Sequence, residues 1–310
     1  MFLIVDGSSV VTTNYYATLP KELLYRKTEE ERAPLYGKLL PKDENGEYNN
    51  AVEISVNQIL GLTRIKGIDH AVVCFDRGRD TFRRTMYPEY KANRPESPAP
   101  LKSQMGRIER MLQDRYGIAT FSDDEYEADD IAGSLVSRFS SERIVLYTKD
   151  HDWLQLVSSN VYCLMRQKDQ ETADRINAEY GEGLPAVPSR TAWFTPNAVV
   201  GETGVFPGQI PDLKGLAGDT ADNIPGVRGV SEITAKKLLK VYPDIEHIYY
   251  ALVTRPDTIE NWKEKLGIGK AQANAVASQM DECFLSRTLA TIIRDLPVRK
   301  SFHEMVCCRS

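Results

Sequence analysis

Cysteine is scarce in this 310-residue sequence. The five residues Cys74, Cys163, Cys283, Cys307 and Cys308 are odd in number and contain no CxxC pair. That spacing argues against a disulfide framework or a cysteine zinc site, and a reducing cytoplasm is the expected compartment. Histidine is sparse too: His70, His151, His247 and His303 stand singly, and none is given a catalytic role. No apolar run approaches the ~18 residues that a membrane helix needs. The opening "MFLIVDGSS" is broken by an Asp and lacks the basic flank of a signal peptide. EF-hand spacing is missing as well, which excludes a dedicated calcium loop. An excess of positive charge is also lacking, since the formal net charge is −5; taken alone, that weighs against a nucleic-acid partner.

The distribution of charge says otherwise. Between Arg77 and Arg110 lie nine basic residues (Arg77, Arg79, Arg83, Arg84, Lys91, Arg94, Lys102, Arg107, Arg110) against four acidic ones (Asp80, Glu89, Glu96, Glu109), a local charge of +5. A generic basic run is a solvated face more often than not. This one, however, interleaves Tyr87 and Tyr90 with its cations, and aromatics stack on unpaired bases while cations neutralise phosphates. "RPESPAP", 94–100, reads as an extended hinge.

Negative charge is concentrated in "DDEYEADD", 123–130, which runs straight into the apolar "IAGSLV". Two unit charges roughly 4 Å apart at an effective dielectric of about 20 repel by about 4 kcal/mol, so convergence of these side chains demands a compensating cation. On a helix, Glu127 and Asp130 share a face, and Asp129 can reach a neighbouring strand end. The octapeptide alone fits an acidic helix N-terminus favoured by the macrodipole equally well. Further acids shift the balance. "FLIVD" ends at Asp6, "AVVCFD" at Asp76, and "RIVLYTKDHD" at Asp150 and Asp152. Strands alternating with the helical stretches 53–66, 103–115 and 127–139 predict a mostly parallel sheet. Such sheets bind ligands beyond the carboxyl ends of their strands. Hard oxygen ligands at one edge suit Mg²⁺ or Mn²⁺, and two such ions can activate a water and stabilise a leaving oxygen.

Residues 20–50 read as a polar surface excursion, and "GEGLPAVPSRTAWFTP" as a linker opening a second, helical unit. In "GLAGDTADNIPGVRGVSEITAKKLL", 215–239, Asp219 and Asp222 precede a turn-rich stretch and a helix that Ser231 can cap. Glycine turns before a helix, here Gly226 and Gly229 with Lys236 following, expose amides to a phosphate without reading base sequence.

Six stretches, "LIVDGSS", "VVCFD", "FRRTMYPEYKANRP", "EYEADDIAGSLV", "YTKDHDWLQLV" and "PGQIPDLKGLAGDTADNIPGV", occur in an order that resembles the bacterial 5′–3′ exonuclease and flap endonuclease family. The resemblance implies an α/β fold: a PIN-like parallel sheet flanked by helices over 1–185, with a basic arch at about 77–110. A helical DNA-binding domain over 186–310 follows, with a helix–three-turn–helix motif at about 213–241. It further implies that Asp6, Asp76, Glu127 and Asp129 serve one metal position, and that Asp130, Asp150, Asp152, Asp219 and Asp222 serve or support a second. Lys91 and Arg94 are implied at the scissile phosphate, Tyr90 as a stacking residue, and Arg83, Arg84, Gly226, Gly229, Ser231 and Lys236 as DNA contacts.

The implied activity is cleavage of DNA phosphodiesters with two Mg²⁺ or Mn²⁺ ions, with K⁺ a candidate at the hairpin. The implied partners are DNA 5′ flaps, 5′ ends and duplex junctions, with RNA primer–DNA hybrids a further candidate, and no membrane. A free-standing monomer is expected, since no polymerase follows Ser310. Two departures stand out. The family's Arg seven residues after the first Asp is replaced around Thr13 and Asn14, and the hairpin reads Gly229–Val230–Ser231 where Gly–Ile–Gly is usual. A PIN-type RNase shares the carboxylates but does not need 215–239.

Overall fold

The computed structural model describes residues 1–297 and Met305; the last part of the expected helical domain, with Cys307, Cys308 and His303, lies outside them. Six strands, β1 (Phe2–Asp6), β2 (His70–Asp76), β3 (Ala119–Asp123), β4 (Ile144–Thr148), β5 (Val161–Arg166) and β6 (Thr191–Phe194), form one sheet in the order β3-β2-β1-β4-β5-β6. The first five are parallel and β6 pairs antiparallel with β5. Strand order reverses between β1 and β4, so the switch-point crevice opens where Asp6 and the residues after Thr148 emerge.

Alternation along the buried strands divides the core. Leu3 and Val5 face the helices Gly7–Ala17, Val52–Thr63 and Ala99–Asp114, while Phe2 and Ile4 face Ala128–Arg138. The second core runs on into the C-terminal helices, where Leu216, Val227, Leu238 and Trp262 are buried. The entry into Gly7–Ala17 is tight: a Cβ on Gly7 would sit 2.5 Å from the Phe75 ring.

Two expectations need correction. "TAWF", read as part of a linker, is β6: Ala192, Trp193 and Phe194 alternate across the sheet and are buried on both faces. The basic segment is not an arch to residue 110, because Leu101, Ile108 and Leu112 bury Ala99–Asp114 against the sheet and leave only 77–98 at its edge. The excursion at 20–50 lies mostly exposed and carries two helices, Lys21–Leu24 and Glu29–Leu39, and a bridged turn whose Asp43 pairs with Arg107 at 2.6 Å.

Candidate metal and nucleic-acid site

The sheet delivers acids to one cleft of about 420 Å³, lined by Asp6, Asp76, Glu127, Asp129 and Asp150, with Arg79, Arg84, Lys91 and Arg94 beside them. Each carboxylate is held by its own element. Asp6 caps the helix that follows it, accepting from Ser9 N at 2.8 Å, and its other oxygen accepts from Thr148 Oγ1 at 2.7 Å. Asp76 accepts from Ala128 N at 2.8 Å, and Asp129 from Trp153 Nε1 at 2.6 Å. Asp150 caps the turn 151–156, accepting from Asp152 N at 2.9 Å.

Beside the cleft, oxygens of Asp152, Asp219 and Asp222 lie within 4.8 Å of one another. Lys214, on the helix Ile210–Ala217, bonds Asp152 and reaches Asp219 at 2.5 Å.

The segment 87–94 is fastened to the loop 219–224. Lys91 N donates to Asp222 O at 2.9 Å, Asn93 Nδ2 to Thr220 O at 2.8 Å and Asn223 Nδ2 to Glu89 O at 2.7 Å. Lys91 itself holds φ +52°, a conformation that costs a side-chain-bearing residue energy and marks an over-determined position. Its ammonium stands 2.9 Å from Glu127 and 3.6 Å from Asp222, while Arg94 pairs with Asp222.

This geometry agrees with comparisons to known proteins. The profile of the 5′–3′ exonuclease N-terminal resolvase-like domain matches residues 1–181, and that of the 5′–3′ exonuclease C-terminal SAM fold matches 205–309. The chain belongs to the 5′–3′ exonuclease family. DNA polymerase I of Caldicellulosiruptor bescii is 36% identical to this exonuclease-family chain over 260 residues, covering 83% of the chain and 27% of the polymerase. The chain thus spans little more than a quarter of that relative. The phage T5 5′-exonuclease with bound zinc shares the fold at a TM-score of 0.61 and 18% identity, over 93% of this chain and 88% of that one. The T5 flap endonuclease, solved as a pseudo-enzyme–product complex with DNA and metal ions, aligns at 0.60 and 18% over the same shares.

Within the exonuclease-family cleft, burial and like charge act together. Burial first, then the Asp76 charge, pushes Asp6 up to about 7. Burial followed by Asp150 pushes Asp152 up to about 7 and lifts Asp129 well above the usual carboxylate range. For Lys91 burial is the largest effect and opposes the charge, but Glu127, Tyr90, Asp222 and Asp129 together outweigh it and hold the ammonium well above the ordinary lysine value. Burial is also the largest effect on the Asp219 carboxylate and opposes it, but the hydrogen bond and charge of Lys214 with the Ala221 and Asp222 amides together draw its pKa below the ordinary aspartate value.

Three expected roles are not met by the geometry. Asp130 is fully buried and takes a bidentate grip from Arg83 at 2.6 and 2.7 Å, so it does not face the cleft. Arg83 is committed to that pair and to the carbonyls of Leu289 and Thr291, and is not available to DNA. Tyr90 is buried against Ile224, Leu289 and Ala290, its hydroxyl directed at Glu127 and Asp222, so its ring offers no stacking face. Arg84 borders the cleft near Asp80, 3.4 Å away, and Lys236 pairs with Glu232 on its own helix.

In the hairpin, Gly226 (φ +63°) packs so closely that a Cβ would lie 2.1 Å from Gly218 N, whereas Gly229 (φ +93°) faces open space. Ser231 caps Glu232–Leu239, accepting from Thr234 N at 3.3 Å. Where the family's Arg is missing, Asn14 is buried and donates to Ser55 and Gln58. Sequence reasoning missed Lys214, Trp153 and Thr148. Trp153 follows the "KDHD" acids directly, which was a usable signal; nothing local marks the other two.

Proposed function

We propose that this chain is a structure-specific 5′-nuclease that hydrolyses DNA phosphodiesters at 5′ flaps, 5′ ends and duplex junctions with two divalent ions. One observation carries the reading: carboxylates from three strand ends and one helix start share a cleft with Lys91 and Arg94. The residues present fit divalent cations, since the donors are all hard oxygens and burial with mutual repulsion leaves Asp6 and Asp129 short of positive charge, whereas Lys214 fills that need at Asp152 and Asp219 and would turn aside for an ion. Asp6, Asp76, Glu127, Asp129 and Asp150 would hold one ion, and Asp152, Asp219 and Asp222 the second. Bound ions of this kind, Mg²⁺ or Mn²⁺, supply Lewis acidity and lower the pKa of water.

The chain's own residues do the rest. Lys91 and Arg94 grip the non-bridging oxygens of the scissile phosphate, exchanging Glu127 and Asp222 for the substrate. Thr148 and Trp153 fix the Asp6 and Asp129 carboxylates, so little reorganisation is left for the reaction step. Arg79 and Arg84 border the same cleft and carry the incoming strand. In the turn Gly226–Ser231 the amides of Gly226, Val227, Arg228 and Val230 bond within the chain, so the Gly229 and Ser231 amides are the ones proposed to hold a duplex phosphate, with K⁺ the cation proposed at the turn's carbonyls. A single chain supplies every group in the cleft, which supports action as a monomer; RNA primer–DNA hybrids offer the same backbone, and the cytoplasm is the proposed site of action.

The test is cleavage mapping on a labelled 5′-flap DNA and on unstructured RNA, with and without Mg²⁺. Cuts at the flap junction that need Mg²⁺ are expected. Equal or faster cutting of the RNA would favour the PIN-type RNase instead, and turnover that persists in EDTA would defeat the two-ion scheme.

A further inference from the structure

The cations on the β2 side of the cleft are engaged by Glu127, Asp222, Asp80 or backbone carbonyls. Two others, on the opposite side, are not. The last paired position of β4 and β5 is Thr148 with Met165. The next residues, Lys149 and Arg166, are therefore neighbours across the strands, their backbones about 5 Å apart. They continue the alternation of Tyr147 and Leu164 and so lie on the face that carries the helix Gly7–Ala17.

Both side chains are exposed and neither has an ion pair among the described residues. They share a small cavity with Ser9, Thr13, Gln58 and Tyr147, and Lys149 also borders the main cleft next to Asp150. Like charges side by side on a sheet are destabilising, and no carboxylate among the described residues pairs with either. The lining adds hydroxyls from Ser9 and Thr13. An arginine fork and an ammonium beside hydroxyl donors suit an oxyanion with several acceptor oxygens.

We propose that Lys149 and Arg166 hold a backbone phosphodiester of the substrate strand next to the one that is cut. The strand then crosses the carboxylates from Arg79 and Arg94 on one bank to Lys149 and Arg166 on the other. This assignment rests on the nuclease reading above.

Binding of a fluorescent 5′-flap DNA in Ca²⁺, measured by anisotropy from 50 to 200 mM KCl, tests it on the full chain. Arg166→Ala, remote from the metal-facing acids, and the double variant with Lys149→Ala should bind roughly 3- to 10-fold more weakly at low salt. Their log–log salt slope should be shallower by about 1. Arg166→Lys should keep the wild-type slope, and no variant should melt earlier than wild type. A double variant with unchanged affinity and slope overturns the anchor, as does weaker binding accompanied by a lowered melting temperature and an unchanged slope. In either case wild-type binding of the flap leaves the nuclease reading untouched, because the loss is confined to this anchor. A wild-type protein that fails to bind the flap sinks both.

Discussion

Arg83 and Asp130 form a buried bidentate pair that ties the basic segment to the helix Ala128–Arg138, and the same guanidinium clamps the carbonyls of Leu289 and Thr291. The pair joins three regions distant in sequence, and it stands directly behind Glu127, whose N–H donates to Asp130 at 3.2 Å. Removing one partner leaves a buried charge alone. Arg83→Ala should therefore lose about 3–5 kcal/mol of stability, and Arg83→Met with Asp130→Leu should recover only part of it, because the carbonyls of Leu289 and Thr291 and the amides of Glu127 and Ile293 lose their partners. Urea melts measure both. A loss under ~1 kcal/mol together with a shallower salt slope for DNA would return Arg83 to the DNA surface.

Asp129→Asn keeps the shape that accepts from Trp153 Nε1 but removes the charge. Cleavage in Mg²⁺ should fall at least ~100-fold, while flap affinity in Ca²⁺ stays close to wild type. Single-turnover rates beside anisotropy separate the two quantities. Retained cleavage would exclude Asp129 as an ion ligand.

Tyr90→Phe removes a hydroxyl shared by Glu127 and Asp222 and leaves the ring in place. Stability should drop by about 1 kcal/mol, with DNA affinity unchanged. Tyr90→Leu should leave DNA affinity equally unchanged, because the ring is packed inside. Base stacking worth ~1–3 kcal/mol would appear as a loss of binding in the leucine variant.

On the helix that carries Lys214, Asp212 is buried with one oxygen lacking a hydrogen-bond partner. Burial, against the opposing Arg287 charge, pushes it up to about 7 from 3.8. A folded-state pKa above the unfolded one means the contribution is full below about 3.8 and is lost as pH rises through about 7. Asp212→Asn should match wild type near pH 3.5 and exceed it near pH 8, flattening the decline between. Chemical denaturation across that range measures it; an unchanged slope would mean that pairing with Arg287 keeps Asp212 ionised throughout.

Much of the site was written in the sequence because parallel strands deliver their carboxyl ends to one edge. An apolar run closed by an acid, repeated at Asp6, Asp76 and Asp150, therefore already defines a converging set. Period-2 and period-3.6 patterns marked the strands and helices that carry them. Residue pattern alone could not sort the six acids of "DDEYEADD", and the family resemblance chose Glu127, Asp129 and Asp130 without showing that Asp130 turns away from the cleft. Tertiary contacts did so: Asp123 closes a turn by accepting from Glu125 N, Glu127 and Asp129 face the cleft, and Asp130 is claimed by Arg83.

The same holds for the cations. Arg83, Lys91, Arg94 and Lys214 are alike in sequence, and what each does depends on an acid between 5 and 128 residues away. Composition and periodicity act over a few residues and fix which elements form and where their charges emerge. Which opposite charge meets which, and which ring is buried, is decided only when distant segments pack, because the energy of those pairs exists only after the chain has closed on itself.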